Sequence, residues 1–271
     1  MSGKVVMVLC DGLGDEIARS RMGYMEHLVE ENAATRYTSR AVLPTMSRPN
    51  YESLHTGVPP HKHGKTSNHV SGASDQPNVF TAARAAGLTT AAVAYHWFSE
   101  LYHQSPFDPV EHLEYNDGQH GITYGRFYQH HAQPDSEMIL RGALLASRYK
   151  PDYLLVHPMG VDHAGHDHGV TSTEYAHAVS DLDELLAGTV PGWLALGYSV
   201  LVTADHGHDE HKYHGGTEDG VRNVPVYAAP RDGAGRGEQQ DLLSHLQVAP
   251  TICTELGVSV PQTMVAPPFQ W

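Results

Sequence analysis

Three aspartates in this sequence, Asp11, Asp162 and Asp205, each lie shortly after an apolar segment, and histidines accompany the later two. His166 follows Asp162 by four positions, with Gly165 between them allowing a tight turn, and His206 is adjacent to Asp205. Clustered carboxylates repel one another and are costly to bury unless a cation neutralises them. Carboxylate oxygen and imidazole nitrogen are typical ligands of zinc and manganese, whereas calcium prefers oxygen alone. Together with the later His214, these residues predict a site for two divalent metal ions.

Each piece of this pattern also has a simpler interpretation. Asp11 followed by Gly12 is typical of an ordinary turn. Asp162 could cap the start of a helix while His166 is a surface histidine. Asp-His-Gly is short enough to arise by chance, so the joint order of the pieces carries the metal-site prediction.

The elements that would position these residues are buried strands. Three apolar segments end just before, or a few residues before, the three aspartates. Because the ligand crevice of an open α/β sheet lies outside the carboxyl ends of its strands, the aspartates are expected to converge there. The segments that predict strands of a mostly parallel sheet are Val5–Cys10, Thr89–Tyr95, Tyr153–His157, Tyr198–Thr203 and Val224–Ala229.

Helices are expected between the strands. The clearest is predicted for Thr171–Gly188, because Thr171 and Glu174 match a capping box and apolar residues then recur with a helical period. Strands that alternate with helices predict an α/β fold with helices on both faces of the sheet. The length suits a single domain spanning residues 1–271. Residues 96–134 are aromatic, polar and irregular, and are predicted to form a small inserted lid.

Composition restricts the partners. The chain has 31 acidic and 17 basic residues and a formal net charge of −14, so a nucleic-acid polymer is not expected to bind. No apolar run is long enough to span a membrane, and the N-terminal segment does not match a signal peptide. Cys10 and Cys253 do not form a disulfide framework. A cytoplasmic location without a membrane partner is therefore expected.

In its combined order, the sequence resembles the alkaline phosphatase superfamily. The segment Pro44–Tyr51, followed by Thr56-Gly57, His63-Gly64 and Asn68, is similar to the nucleophile region of the type I phosphodiesterase/nucleotide pyrophosphatase branch, which also contains phosphonoacetate hydrolase. The resemblance extends from Asp11 to Pro225. It implies an alkaline-phosphatase-like α/β fold.

The resemblance also implies roles for individual residues. The nucleophile falls on Ser47; Thr45 is the alternative, because the branch usually uses threonine, but its spacing to the later motifs fits less well. Asn68 would donate a hydrogen bond to a phosphoryl oxygen. One ion would be bound by Asp162, His166 and His214, with His211 as the alternative to His214. The other would be bound by Asp11, Asp205, His206 and the Ser47 oxygen.

The resulting functional prediction is a two-metal hydrolase of phosphate esters that uses zinc or manganese and no organic cofactor. A phosphodiesterase or nucleotide-pyrophosphatase-like enzyme acting on a small soluble substrate through a phosphoseryl intermediate is the leading interpretation. A phosphomonoesterase and a phosphonoacetate-type C–P hydrolase are the alternatives, and a non-catalytic metal-binding protein is a remote third. Arg48 replaces the phenylalanine common after the nucleophile in this branch, which mildly favours a monoester with its additional charge.

Overall fold

The computed structural model describes residues 3–116, 120–130 and 133–271. Within these residues, nine strands form one sheet. The strands are β1 (Lys4–Leu9), β2 (Thr35–Arg40), β3 (Thr90–Tyr95), β4 (Glu114–Asn116), β5 (Tyr124–Tyr128), β6 (Tyr153–Val156), β7 (Tyr198–Thr203), β8 (Asn223–Ala229) and β9 (Gly237–Ser244). Their order across the sheet is β4-β5-β3-β6-β1-β7-β8-β2-β9.

Helices connect most of the strands. They are α1 (Asp15–Arg21), α2 (Gly23–Glu30), α3 (Ser47–Thr56), α4 (Pro60–His63), α5 (Val79–Ala85), α6 (Trp97–Tyr102), α7 (Asp135–Arg148), α8 (Gly160–His168), α9 (Thr173–Ala195), α10 (Asp219–Arg222) and α11 (Val248–Leu256), with a 3₁₀ turn at His245–Gln247. Across the described ranges, none of these helices combines the length and the hydropathy that a membrane crossing requires.

The five predicted strands are all present, with ends within one residue of the prediction. The central strands β5, β3, β6, β1 and β7 run parallel, which confirms a mostly parallel α/β sheet. β8 differs from the prediction of a parallel strand, because it runs antiparallel to both β7 and β2. The sheet is therefore mixed on the side of β8.

Helices cover both faces of the sheet. Side chains of a strand point alternately to opposite faces, so Val6 and Val8 of β1 enter one core and Val5 and Met7 enter the other. Helices α1, α2, α7, α8 and α9 contribute to the first core, and helices α3, α5, α6 and α11 contribute to the second. Burial on both faces explains why the central strands are almost wholly apolar.

The bounds predicted for the clearest helix were wrong at both ends. Ser172, not Thr171, caps α9, and its hydroxyl accepts a hydrogen bond of 3.0 Å from the backbone N–H of Tyr175. The helix continues past Gly188 to Ala195. Val190 and Trp193 extend its buried face, so their packing outweighs the weak helix propensity of glycine.

Part of the segment predicted as a lid, residues 96–134, belongs to the sheet. β5 pairs in parallel with β3, and Ile122 and Phe127 are buried in the core of that face. Within this segment, residues 117–119 and 131–132 lie outside the described residues. The segment thus extends the edge of the sheet, and a lid function remains a prediction.

Candidate active site

Two buried aspartates lie at the carboxyl edge of the sheet. Asp11 follows β1 and Asp205 follows β7, which is the parallel neighbour of β1. Asp162 approaches them from the first turn of α8. The approach is close because residue 12 is glycine: with φ at 74°, a Cβ there would lie 2.7 Å from the Cα atom of Asp162. The three predicted aspartates therefore meet.

His206 joins Asp11 and Asp205 into one cluster. Its Nε2 lies 3.5 Å from Oδ1 of Asp11 and 3.3 Å from Oδ2 of Asp205. Its Nδ1 lies 3.1 Å from the carbonyl oxygen of Gly207, which can only accept, so Nδ1 carries the ring proton. Burial lowers the pKa of His206 well below its ordinary value, so the ring is neutral. Its Nε2 lone pair thus faces two carboxylates, an arrangement that a cation stabilises.

The hydroxyl of Ser47 lies beside this cluster, 3.2 Å from Nε2 of His206. Ser47 is the first residue of α3, so its hydroxyl lies at the helix N-terminus, where the helix dipole favours an anion. The hydroxyl of Thr45 is used elsewhere, since it donates to the carbonyl of Gly216 at 2.8 Å and accepts from the N–H of Gly215 at 3.0 Å. The hydroxyl that adjoins the carboxylates is therefore that of Ser47.

A second cluster contains Asp162, His166 and His214. Nε2 of His166 lies 3.5 Å from Oδ1 of Asp162 and 3.2 Å from Nε2 of His214. Nδ1 of His166 donates to the carbonyl oxygen of Lys212 at 3.1 Å. Nδ1 of His214 donates to the carbonyl oxygen of Thr45 at 2.9 Å. Both Nε2 atoms are therefore acceptors in the neutral rings, and a cation between them would satisfy both. A ring N–H bonded to a backbone carbonyl is the usual way in which proteins orient a metal-binding histidine.

Two other sequence expectations are not met in this cluster. The side chain of His211, the alternative to His214, is 78% exposed and lies near Glu210 on the surface. Gly165 does not form a tight turn, because it lies inside α8. Asp162 and His166 come together through helical spacing instead.

The donor set fits divalent cations. Oδ1 of Asp11 and Oδ2 of Asp205 are buried, and neither accepts a hydrogen bond from any residue that the structure describes. Burial, with the charge of Asp11, raises the pKa of Asp205 well above its ordinary value, as expected for a carboxylate that lacks a counter-ion. Ligand atoms within 4.8 Å of one another form three groups: Asp11, Asp205 and His206; Asp162, His206 and His214; and Asp162, His166 and His208.

Asn68 contacts the first turn of α3, beside Ser47. Its Oδ1 accepts a hydrogen bond of 3.0 Å from the backbone N–H of Arg48. Because the amide oxygen is held in this way, the NH2 group remains as the donor that could bond to a phosphoryl oxygen.

Arg48 is not arranged to bind an anion. Its guanidinium donates to Oε2 of Glu100 at 2.7 Å, and its side chain is only 3% exposed. The same group lies 4.3 Å from the ring centroid of Trp97. The pairing with a buried carboxylate therefore disfavours the expectation that Arg48 meets the additional charge of a monoester.

Sequence reasoning missed two side chains that contact Asp11. The hydroxyl of Tyr51 donates to Oδ2 of Asp11, and Nε2 of His157 lies 3.3 Å from the same oxygen. Tyr51 is one turn beyond Ser47 in α3, so helical spacing could have placed it near the site. His157 follows β6 directly and carries the same strand-end signal as the aspartates.

His208 was also missed. Its Nε2 lies 2.8 Å from Oδ1 of Asp162, and its side chain is buried. Although burial alone would raise it, the pKa of Asp162 is lowered, because His208 bonds to the carboxylate and further histidines lie nearby. The signal was the repeated histidine in Asp205-His206-Gly207-His208.

Curated relatives include two ethanolamine phosphate transferases. The chain is 26% identical over 276 residues to the human GPI ethanolamine phosphate transferase 2, catalytic subunit, and 27% identical over 113 residues to the human GPI ethanolamine phosphate transferase 3, catalytic subunit. These matches cover 97% and 41% of this chain. They cover only 27% and 10% of the two relatives, which are thus much longer proteins.

Solved structures share the fold. Murine ectonucleotide pyrophosphatase/phosphodiesterase 5 superposes with a TM-score of 0.73 at 11% identity, over 95% of this chain and 96% of that one. Phosphonate monoester hydrolase of Agrobacterium radiobacter gives a TM-score of 0.62 at 14% identity, over 95% and 74% of the two chains.

The alkaline-phosphatase-like fold predicted from the sequence is thereby confirmed. The family model described as type I phosphodiesterase / nucleotide pyrophosphatase matches residues 5–233, which are most of the chain. The chain belongs to the type I phosphodiesterase/nucleotide pyrophosphatase family.

Proposed function

We propose that this chain binds two divalent metal ions and cleaves small phosphate diesters through a phosphoseryl intermediate on Ser47. The observation that carries the proposal is the convergence of acceptor atoms beside a serine hydroxyl. His206 Nε2 faces Asp11 and Asp205 within 3.5 Å and Ser47 at 3.2 Å, and its only ring proton bonds to a carbonyl. Such a set of buried lone pairs is stabilised by positive charge.

The two clusters divide the ligands between two ions. Asp162, His166 and His214 would bind one, and Asp11, Asp205, His206 and the Ser47 oxygen would bind the other. Oxygen and nitrogen ligands suit zinc, and manganese is the alternative. When bound, a pair of such ions lowers the pKa of a hydroxyl and stabilises both oxygens of an in-line displacement.

The protein's own groups would act in two steps. The Ser47 oxygen forms a bond to phosphorus as its proton passes to water, and the bond from phosphorus to the leaving oxygen breaks. Water then attacks the phosphorus and the bond from phosphorus to the Ser47 oxygen breaks; a proton from the water restores the Ser47 hydroxyl, and a phosphate monoester leaves. The NH2 group of Asn68 and the backbone N–H of Ser47 would be the donors to the phosphoryl oxygens, since the N–H of Arg48 is bonded to Asn68 and Pro49 has none.

The state of Arg48 supports a diester over a monoester. A monoester dianion needs an additional positive charge, and the arginine next to Ser47 is already paired with Glu100. A diester carries a single negative charge, which the metal ions and the helix N-terminus would match. The net charge of −14 further disfavours polyanionic substrates.

Transfer to an alcohol is a second candidate reaction. It is favoured by the 26% identical relative, whose name specifies an ethanolamine phosphate transferase. The first step would be the same, and an alcohol would replace water in the second. This chain spans about a quarter of the length of the first of these relatives and a tenth of the second.

The test is a substrate panel with zinc-loaded or manganese-loaded protein. We expect turnover of bis-p-nitrophenyl phosphate to exceed that of p-nitrophenyl phosphate and phosphonoacetate, and to be lost in Ser47→Ala but kept in Ser20→Ala, a surface control on α1. Diester turnover that is equal in Ser47→Ala and wild type would contradict the assignment of Ser47 as the nucleophile. Adding small alcohols tests transfer, because a new phosphodiester product appears only if an alcohol can replace water.

A further inference from the structure

His208 is a buried histidine that contacts the second cluster. The proposed reaction does not use it. Its Nε2 lies 2.8 Å from Oδ1 of Asp162, closer than Nε2 of His166 at 3.5 Å. It follows Asp205-His206-Gly207 in the loop after β7, whereas Asp162 belongs to α8. The contact therefore joins the two elements that carry the ligand sets.

The hydrogen bonds of His208 differ from those of its neighbours. His166, His206 and His214 each donate Nδ1–H to a backbone carbonyl, which leaves Nε2 as the acceptor. Nδ1 of His208 is buried and has no hydrogen-bond partner among the described residues. A proton there would be an unpaired buried donor, whereas a proton on Nε2 has Asp162 as its acceptor. The neutral ring thus carries its proton on Nε2.

We propose that His208 is a positioning residue that fixes the carboxylate of Asp162 by donating Nε2–H to it. This inference rests on the two-metal function proposed above. A carboxylate oxygen that accepts one hydrogen bond keeps a second lone pair for a cation, so the bond orients the ligand without replacing it. Partners of this kind typically change metal affinity by about 10–100-fold.

The backbone provides the space for this ring. A Cβ on Gly165 would lie 2.6 Å from Cδ2 of His208, and a Cβ on Gly12 would lie 3.0 Å from Nε2 of His208. Gly165 lies inside α8, where alanine would otherwise be the more favourable residue. The ring of His208, which packs against residue 165, therefore explains why this position is a glycine.

The experiment measures zinc affinity by competition with a chelator and records the visible spectrum of the cobalt-loaded protein. His208→Ala should weaken the binding of one of two ions by about 10–100-fold. His208→Gln, which restores a donor of similar reach, should recover most of the loss, and the cobalt spectrum should change little. Gly165→Ala should reproduce the loss with His208 still present. His211→Ala, an exposed histidine of the same loop, should bind both ions as wild type does.

Each outcome decides between specific alternatives. If His208→Ala is folded, as judged by its melting temperature, and binds both ions with wild-type affinity, the positioning role is wrong while the proposed function stands. If His208→Gln does not recover binding and the cobalt spectrum loses a nitrogen ligand, His208 is itself a ligand, which also overturns the inference. A wild-type protein that binds neither ion would overturn this inference and the proposed function together.

Discussion

The hydroxyl oxygen of Ser47 lies 3.2 Å from Nε2 of His206, although 159 positions separate the two residues in the chain. The contact joins the start of α3 to the loop after β7. The ring of His206 is also stacked on that of His214, with centroids 3.8 Å apart. One imidazole therefore touches the candidate nucleophile and both sets of candidate metal ligands.

The first prediction separates Ser47 from Thr45. Ser47→Ala should reduce diester turnover by at least about 1000-fold, because the attacking oxygen is removed. Thr45→Val removes the hydroxyl that holds Gly215 and Gly216, so His214 should shift, and zinc affinity should fall more than the rate at saturating zinc. Steady-state kinetics at several zinc concentrations measure both effects. A larger loss of the saturated rate in Thr45→Val than in Ser47→Ala would reverse the assignment.

The second prediction concerns the repulsion between Asp11 and Asp205 in the protein without bound metal. Asp205→Asn removes one of two adjacent buried charges and adds a donor facing Nε2 of His206, so it should stabilise the metal-free protein by about 1–3 kcal/mol. The same substitution should weaken zinc binding, because a carboxylate ligand is lost. Urea unfolding with and without a chelator measures both. A metal-free variant that is less stable than wild type would show that the two carboxylates do not oppose folding.

The third prediction is a pH dependence at Asp135. Burial raises the pKa of this carboxyl from 3.8 to about 6, even though Oδ1 accepts from the N–H of Gly160. The protonated group favours the folded state, so its contribution is complete below about pH 4 and is lost as the pH rises through about 6. Relative to Asp135→Asn, wild type should therefore lose about 3 kcal/mol of unfolding free energy across that window. A constant difference between the two proteins from pH 4 to 8 would contradict the shift.

The fourth prediction concerns the buried pair of Arg48 and Glu100. Arg48→Ala leaves the carboxylate of Glu100 unpaired and uncovers the ring of Trp97, so it should lower the unfolding free energy by about 3 kcal/mol. The double variant Arg48→Met, Glu100→Gln should recover most of this loss. Its ratio of diester to monoester turnover should stay at the wild-type value, because Arg48 is buried and paired with Glu100. A selective loss of monoester turnover in the double variant would show that Arg48 contacts the substrate.

The strands that could be predicted are those buried on both faces, because burial makes them continuously apolar. β2 was missed because it reads Thr-Arg-Tyr-Thr-Ser-Arg. Arg36 in this strand is buried only because it pairs with Asp15 at 2.8 Å and Glu26 at 2.9 Å. Those partners come from α1 and α2, and a linear pattern of hydropathy does not reveal such ion pairs.

In the candidate site too, some residues could be predicted from the sequence and others depend on packing. Asp11 and Asp205 could be predicted because strand ends of a parallel sheet meet at one edge. Tyr51 and His208 have weaker signals, namely helical spacing from Ser47 and a repeated histidine, because their contacts with the aspartates depend on how α3 and the loop after β7 pack against the sheet. The state of Arg48 likewise depends on Glu100, which α6 brings to it.

The most direct test of the central claim is a crystal structure of zinc-loaded protein with anomalous scattering measured at the zinc edge. Our account predicts two strong peaks: one between Asp11, Asp205 and His206 next to the Ser47 oxygen, and one between Asp162, His166 and His214. A single peak, or peaks that lie away from Ser47, would contradict it.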